Sequence, residues 1–170
     1  MNSQQNILKY AVCLMALVLI MFGCKTSSQT KATKEAIKSS YSGIQKVKFQ
    51  AFLARGVKAI ETEQDLFIQT QEEWDKLKTG DPSEGTQIDF DTHMVVGCHM
   101  GMKEHGGFKA KIMKVEQKSD TLIVTRNFFT PGPSCIITMT ISYPHQWVKI
   151  PKMKISEVRF DGELITRDCY

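Results

Sequence analysis

Between Ile88 and Phe108 the chain reads IDFDTHMVVGCHMGMKEHGGF, and this stretch constrains the fold more than any other. Side chains alternate across an extended strand. Met94, Val96, Cys98, Met100 and Met102 therefore share one face, with His93, Val95, Gly97, His99 and Gly101 opposite. The first set is apolar throughout and suits a core, where methionine and cysteine act as adaptable hydrophobes. A short acidic turn (Asp89, Asp91) precedes the strand. Glu104 to Gly107 follow it, with a Gly-Gly step suited to reversing the chain. A strand that turns back this tightly predicts antiparallel pairing.

The flanking segments agree. Phe108 to Val115 reads as the returning strand, and Thr121 to Arg126 as a third after a turn at Lys118-Ser119-Asp120. Pro131-Gly132-Pro133 breaks the pattern before Ile136 to Tyr143, which alternates with Ile137, Met139, Ile141 and Tyr143 on one side and predicts another strand. Pro144 interrupts, Trp147 to Ile150 resumes, Pro151 ends it, and Val158 to Phe160 closes the sheet. Upstream, Val47 to Leu53 and Leu66 to Ile68 are short strand candidates. Thr70-Gln71-Glu72-Glu73 has the spacing of a capping box, in which the Thr70 hydroxyl accepts from the Glu73 amide and the Glu73 carboxylate reaches back. It predicts a helix over 71–79, with Trp74 and Leu77 turned inward and Gly80 as its stop. Asp81 to Gly85 is a loop. The expected fold is mainly β, a compact antiparallel sheet or sandwich with one short helix near residues 71–79.

The first residues belong to export and not to the fold. Lys9 precedes an apolar run, Ala11 to Phe22, of twelve residues. That is short of the ~20 apolar residues a membrane-spanning helix needs, and fits a secretory signal. Met-Phe-Gly-Cys at 21–24 resembles a bacterial lipobox, which implies cleavage after Gly23 and lipidation, such as palmitate, at Cys24. Residues 25–48 are rich in Ser, Thr and Lys and read as a flexible tether of net charge +5. The division expected is thus a signal peptide at 1–23, a lipidated cysteine and basic tether at 24–48, and a β-rich domain at 49–170. From Phe49 onward the net charge is −2, so the basic pI of 8.8 comes from the tether. A nucleic-acid binder needs clustered positive charge on its folded surface, and no nucleic-acid partner is expected. A polybasic tether beside a lipid anchor favours anionic membrane. The expected location is the bacterial cell envelope, at the outer membrane or a periplasmic face.

Export permits disulfides. With Cys13 and Cys24 set aside, Cys98, Cys135 and Cys169 remain, and Cys98 with Cys135 is the preferred pair because both fall in predicted strands. No Cys-x-x-Cys is present. His93, Met94, Cys98, His99, Met100, Met102 and His105 supply donors that suit copper, but His93 and His99 would stand ~20 Å apart along a strand at ~3.3 Å per residue. His99 with His105 across the turn is the pair that could meet. A Cys98 or Cys135 nucleophile would need a base in hydrogen-bond reach and a third group to orient it, and no nucleophile elbow or metalloprotease helix motif occurs. The Gly101 to Gly107 step lacks Walker spacing. The expectation is a non-enzymatic chain with no cofactor.

The chain also resembles a known family. Asp89-Phe90, the apolar Met94 to Val96, Gly101-Met102-Lys103, Gly106-Gly107-Phe108, Pro144 and Ile150-Pro151-Lys152 resemble the C-terminal domain of the protease complex subunit PrcB family, and the Glu-Glu-Trp helix at Trp74 is similar to it. The resemblance spans Leu66 to Phe160. It implies a small, non-catalytic, β-rich module on bacterial lipoproteins, associated with assembly of a surface protease. His105, Phe108, Cys98 and Cys135 depart from the family pattern. The leading expectation is a lipid-anchored assembly module whose turn, Lys103, His105, Gly106 and Gly107, meets an exported protein partner. The other is a periplasmic metal-binding or redox lipoprotein using Cys98, Cys135 and His99 or His105. For the anchor, Cys24→Ala should release the protein from membranes or leave the precursor uncleaved in cell fractionation. Wild-type processing and membrane retention would contradict it.

Overall fold

The computed structural model of the protein describes residues 43–169, so the expected signal peptide, the expected lipidation at Cys24 and the expected tether as far as Ser42 lie outside the described residues. Gly43 opens a compact unit that runs to the end of the chain. Its first strand, β1 (Ile44–Lys46), is already paired, so the fold begins before the boundary expected at residue 49. Composition hid this because only Ile44 and Val47 of the segment are partly covered, among exposed polar neighbours. Lys46 and Lys48 thereby join the folded unit and bring its net charge from −2 to 0.

The remaining elements are β2 (Gln50–Phe52), β3 (Glu63–Ile68), α1 (Gln71–Asp75), β4 (His93–Met100), β5 (Lys109–Lys118), β6 (Thr121–Pro131), β7 (His145–Pro151) and β8 (Glu157–Arg167). They form two four-stranded sheets, ordered β1-β5-β6-β8 and β2-β7-β4-β3. Pairing is antiparallel except between β6 and β8, which run parallel. The Gly-Gly step does not close the expected hairpin, since it carries the chain from β4 in one sheet to β5 in the other. The start of β8 explains the parallel pair. Ser156 N and Glu157 N donate to Asp120 O at 2.9 and 3.4 Å, so β8 enters the sheet beside the residue where β6 begins.

The expected inner face of β4 holds from Met94 to Met100, whereas Met102 lies beyond the strand and is 47% exposed. Met94, Val96, Cys98 and Met100, with Val148 and Ile150 of β7, pack against Ala110, Ile112 and Val115 of β5 and Leu122, Val124 and Phe128 of β6. This is the core between the sheets. The opposite face of β4 is covered too, by a second cluster of Ile68, Trp74, Ile88, Val95 and Trp147. Gly97 makes that cover possible. Trp147 is its cross-strand partner, and a Cβ on Gly97 would fall 2.6 Å from Trp147 Cε3. The indole thus lies on bare backbone and meets Trp74 edge-on at 5.3 Å and 89°. The capping box is formed as predicted, but α1 ends at Asp75. There Lys58 N donates to Leu77 O at 2.9 Å and Val57 bridges Lys78, which draws the chain out of the helix before Gly80.

Arg126 of β6 reaches Asp65 of β3 through three contacts of 3.0–3.1 Å, with its guanidinium 4.0 Å over Phe128. Both side chains are 17% exposed. A bidentate, half-covered pair of this kind fixes one sheet against the other with directional bonds.

Ile136 to Tyr143 is not the strand that its alternation predicted. Ile136 is 101% exposed, Met139 84% and Ile141 59%. The Pro131-Gly132-Pro133 turn carries the chain out of β6, and the segment crosses as a strap over the turn after β4. Periodicity records which side chains share a face, not whether a partner sheet awaits them.

Gly97→Ala should lower stability by about 2 kcal/mol, within the range for overpacking a tight core, and shift the urea midpoint down. An unchanged midpoint would show that the indole is free to move.

Candidate functional site

The turn singled out in the sequence is fastened by the strap. Lys103 and Ser142 exchange backbone hydrogen bonds at 2.8 and 2.9 Å, and Gly106 N donates to Thr138 O at 2.8 Å. The Ser142 hydroxyl donates to His105 O at 2.9 Å. Gly107 takes φ +94°, a conformation that suits glycine, and a Cβ there would sit 3.0 Å from the Pro131 ring. His105 holds its Nδ1 2.9 Å from Gly106 O, which as a carbonyl accepts, and its ring lies 4.8 Å from Phe108. Lys103 Nζ stands 5.7 Å over the same Phe108 ring. The four residues Lys103, His105, Gly106 and Gly107 therefore form one braced surface feature.

Beside it opens a cleft of about 380 Å³ lined by Phe108, Lys109, Phe129, Pro131, Arg167 and Cys169 among others. The Arg167 guanidinium lies 4.2 Å over Phe129. Two aromatic faces are thus flanked by the cations Lys109 and Arg167, with the Asp168 carboxylate also on the lining, a mixture suited to a segment that presents apolar and polar groups together.

The cysteines pair differently from the expectation. Cys135 is bonded to Cys169, with Cα atoms 4.7 Å apart, and Cys98 is free and buried. Cys98 faces the core from the middle of β4, out of reach of the strap. The end of β8 lies beside the strap's base, where Gly132 N donates to Arg167 O at 2.7 Å and Cys169 N to Ser134 Oγ at 3.1 Å. Burial, followed by the nearby Asp65 carboxylate, pushes the Cys98 thiol up to about 12. A thiol so held is inert as nucleophile or ligand at neutral pH.

The expected donors for a metal do not come together. His99 and His105 belong to separate surroundings, Cys98 is sealed in the core and Cys135 is oxidised. Among the described residues no group of three or more His, Cys, Asp or Glu side chains is placed to hold an ion.

His99 has a different neighbour, which sequence distance concealed. It sits opposite His145 in the β4–β7 register. The two rings stack at 5.4 Å and 18°, and His99 meets Trp147 edge-on at 4.7 Å. Ring lone pairs lie in the ring planes, so nearly parallel rings do not converge on a common ion. His99 is 4% exposed and its Nε2 has no hydrogen-bond partner. The pair lines a cleft of about 190 Å³ with Ala54, Val57, Ile60 and Tyr143. Burial, then the neighbouring His145, pushes the His99 imidazole down to about 4.

The described residues form a two-sheet β domain with a braced turn and a cleft beside it. Residues 94–151 match the model of the family described as PrcB C-terminal. The match takes in β4 to β7 with the turn and the strap, and it bears out the resemblance over that span. Asp89-Phe90 and the Trp74 helix lie outside it. No curated protein matches the chain. No solved structure matches it either.

His99 makes stability depend on pH. In the unfolded chain a histidine takes up its proton near 6.5, whereas the folded protein resists until about 4. As pH falls through that window the unfolded state binds more protons, so stability is full above 6.5 and is lost towards 4. His99→Gln, which does not titrate, should show a shallower fall in urea midpoint over the same range. Parallel curves for the two proteins would refute this role for His99.

Proposed function

We propose that this chain is a non-catalytic module of a protease complex, exported and lipid-anchored at the bacterial cell envelope, that holds a protein partner through its braced turn. The observation that carries the reading is the PrcB C-terminal match over 94–151, because that span contains the Lys103–Gly107 turn and most of the cleft's aromatic wall. The lipobox-like Met-Phe-Gly-Cys and the basic residues after it support the anchor. The folded unit carries no net charge, so partner choice rests on local groups. Lys103, Lys109 and Arg167 with Phe108 and Phe129 supply them, and they favour an acidic, apolar stretch of the partner.

Rigid bracing suits this role. A turn tied by backbone hydrogen bonds loses little further freedom when it is covered, and less of the contact energy is spent on ordering.

Cross-linked co-purification of the full-length chain from solubilised membranes should recover a stoichiometric exported protein, a protease or its companion. Lys103→Glu combined with Lys109→Glu should cut that recovery at least tenfold while leaving the urea midpoint unchanged. Recovery of no partner above background, or equal recovery with the double variant, would sink the reading.

A further inference from the structure

The strap has an outer side that its fastening to the turn does not use. From Asn127 to Val148 the chain holds no Asp, Glu, Lys or Arg, although 24% of the sequence is charged. Within that run Ile137-Thr138-Met139-Thr140-Ile141 reads the same in both directions. Thr138 O and both backbone groups of Ser142 are bonded to the turn. Among the described residues Thr138 N and the backbone groups of Ile137, Met139, Thr140 and Ile141 make no hydrogen bond. Met139 and Ile141 are 84% and 59% exposed.

We propose that this strap pairs with its own copy: two molecules join antiparallel through Ile137–Ile141 about a twofold axis at Met139. In that register Ile137 faces Ile141 of the other copy, Thr138 faces Thr140, and Met139 meets Met139. Antiparallel strands exchange hydrogen bonds at alternate residues. The free groups at 137, 139 and 141 are used across the axis, while Thr138 O and both groups of Ser142 stay with the turn. Threonine pairs and aliphatic pairs are favourable cross-strand neighbours, while like charges directly opposite each other are not.

The missing charge singles out a second copy as the occupant. Exposed edges are ordinarily guarded by charged side chains or proline, and a charge anywhere in the palindrome would confront an identical or uncharged group across the axis. A closed twofold contact uses the same patch on both molecules, which the palindrome supplies. Five residues a side fall short of the ~800 Å² per partner of a standard interface, and the chain bends at Thr140 in the single copy. The pairing is therefore weak, in the upper micromolar range and not the nanomolar. It does not rest on the protease-complex reading.

Residues 43–170 hold both sheets and both cores as one compact unit, so this segment serves for the test. Sedimentation velocity should show a dimer growing in as concentration rises to about 1 mM, an association of some 4 kcal/mol or more. Met139→Asp and Met139→Lys should each be monomeric, since like charges then meet on the axis. Their equimolar mixture should restore a dimer that native mass spectrometry shows to be mixed. Leu164→Asp, at another exposed aliphatic site, should leave dimerisation unchanged. A wild-type monomer at the highest concentration, a dimer indifferent to Met139→Asp, or a mixture that does not re-pair would overturn the proposal. Met139→Asp in the full-length chain should still recover the protease-complex partner, so the two readings fail separately.

Discussion

The indole of Trp147 resting on Gly97 is the contact on which the rest of the domain depends. A β-strand buried on one face needs one layer of cover, but β4 is buried on both. Its inner side is closed by the second sheet. Its outer side is closed by Trp147, which spreads over the strand only because Gly97 has no side chain. Trp74 then packs edge-on against Trp147 and anchors its own Nε1–H on Thr86 O at 3.0 Å. A helix of five residues has no standing alone; α1 exists because its single buried residue, Trp74, is held by this stack. The same indole supports His99 from the side, so the buried imidazole and its cleft are consequences of one glycine.

What was legible in the sequence was what is local. The alternation of Met94, Val96, Cys98 and Met100 gave the inner face, since strand geometry leaves no other arrangement. The capping box was readable because its partners are three residues apart. The disulfide was not, for pairing depends on which chain ends meet in space. Cys98 stands on the inward face of β4 and is sealed in the core, while Cys169 lies where β8 brings it back to the strap. The parallel course of β8 was equally hidden, because it follows from Ser156 and Glu157 docking on Asp120, some three dozen residues earlier in the chain. His99 and His145 illustrate the same limit from the functional side. Their stacking follows from the β4–β7 register, and neither residue's neighbours in sequence point to it.

The turn and strap show how a braced surface feature can leave little trace in side-chain motifs. Lys103, Gly106 and Ser142 are held by main-chain bonds, which any sequence of suitable conformation could make. What the sequence does record is restriction: glycine at the φ +94° position of Gly107 and two prolines around Gly132 at the strap's base. The family match, residues 94–151, covers both the turn and the strap.

The route of the chain between the sheets bears on how the domain comes into being. It visits one sheet with β1, the other with β2, β3 and β4, returns for β5 and β6, leaves again for β7, and comes back with β8. Neither sheet can therefore be finished early. In a chain made N-terminus first, β6 lacks one of its two neighbours until residues 157–167 have been made, and contacts this far apart in sequence form slowly. The core that both sheets line is thus closed by strands from across the domain, and the two sheets reach completion as one.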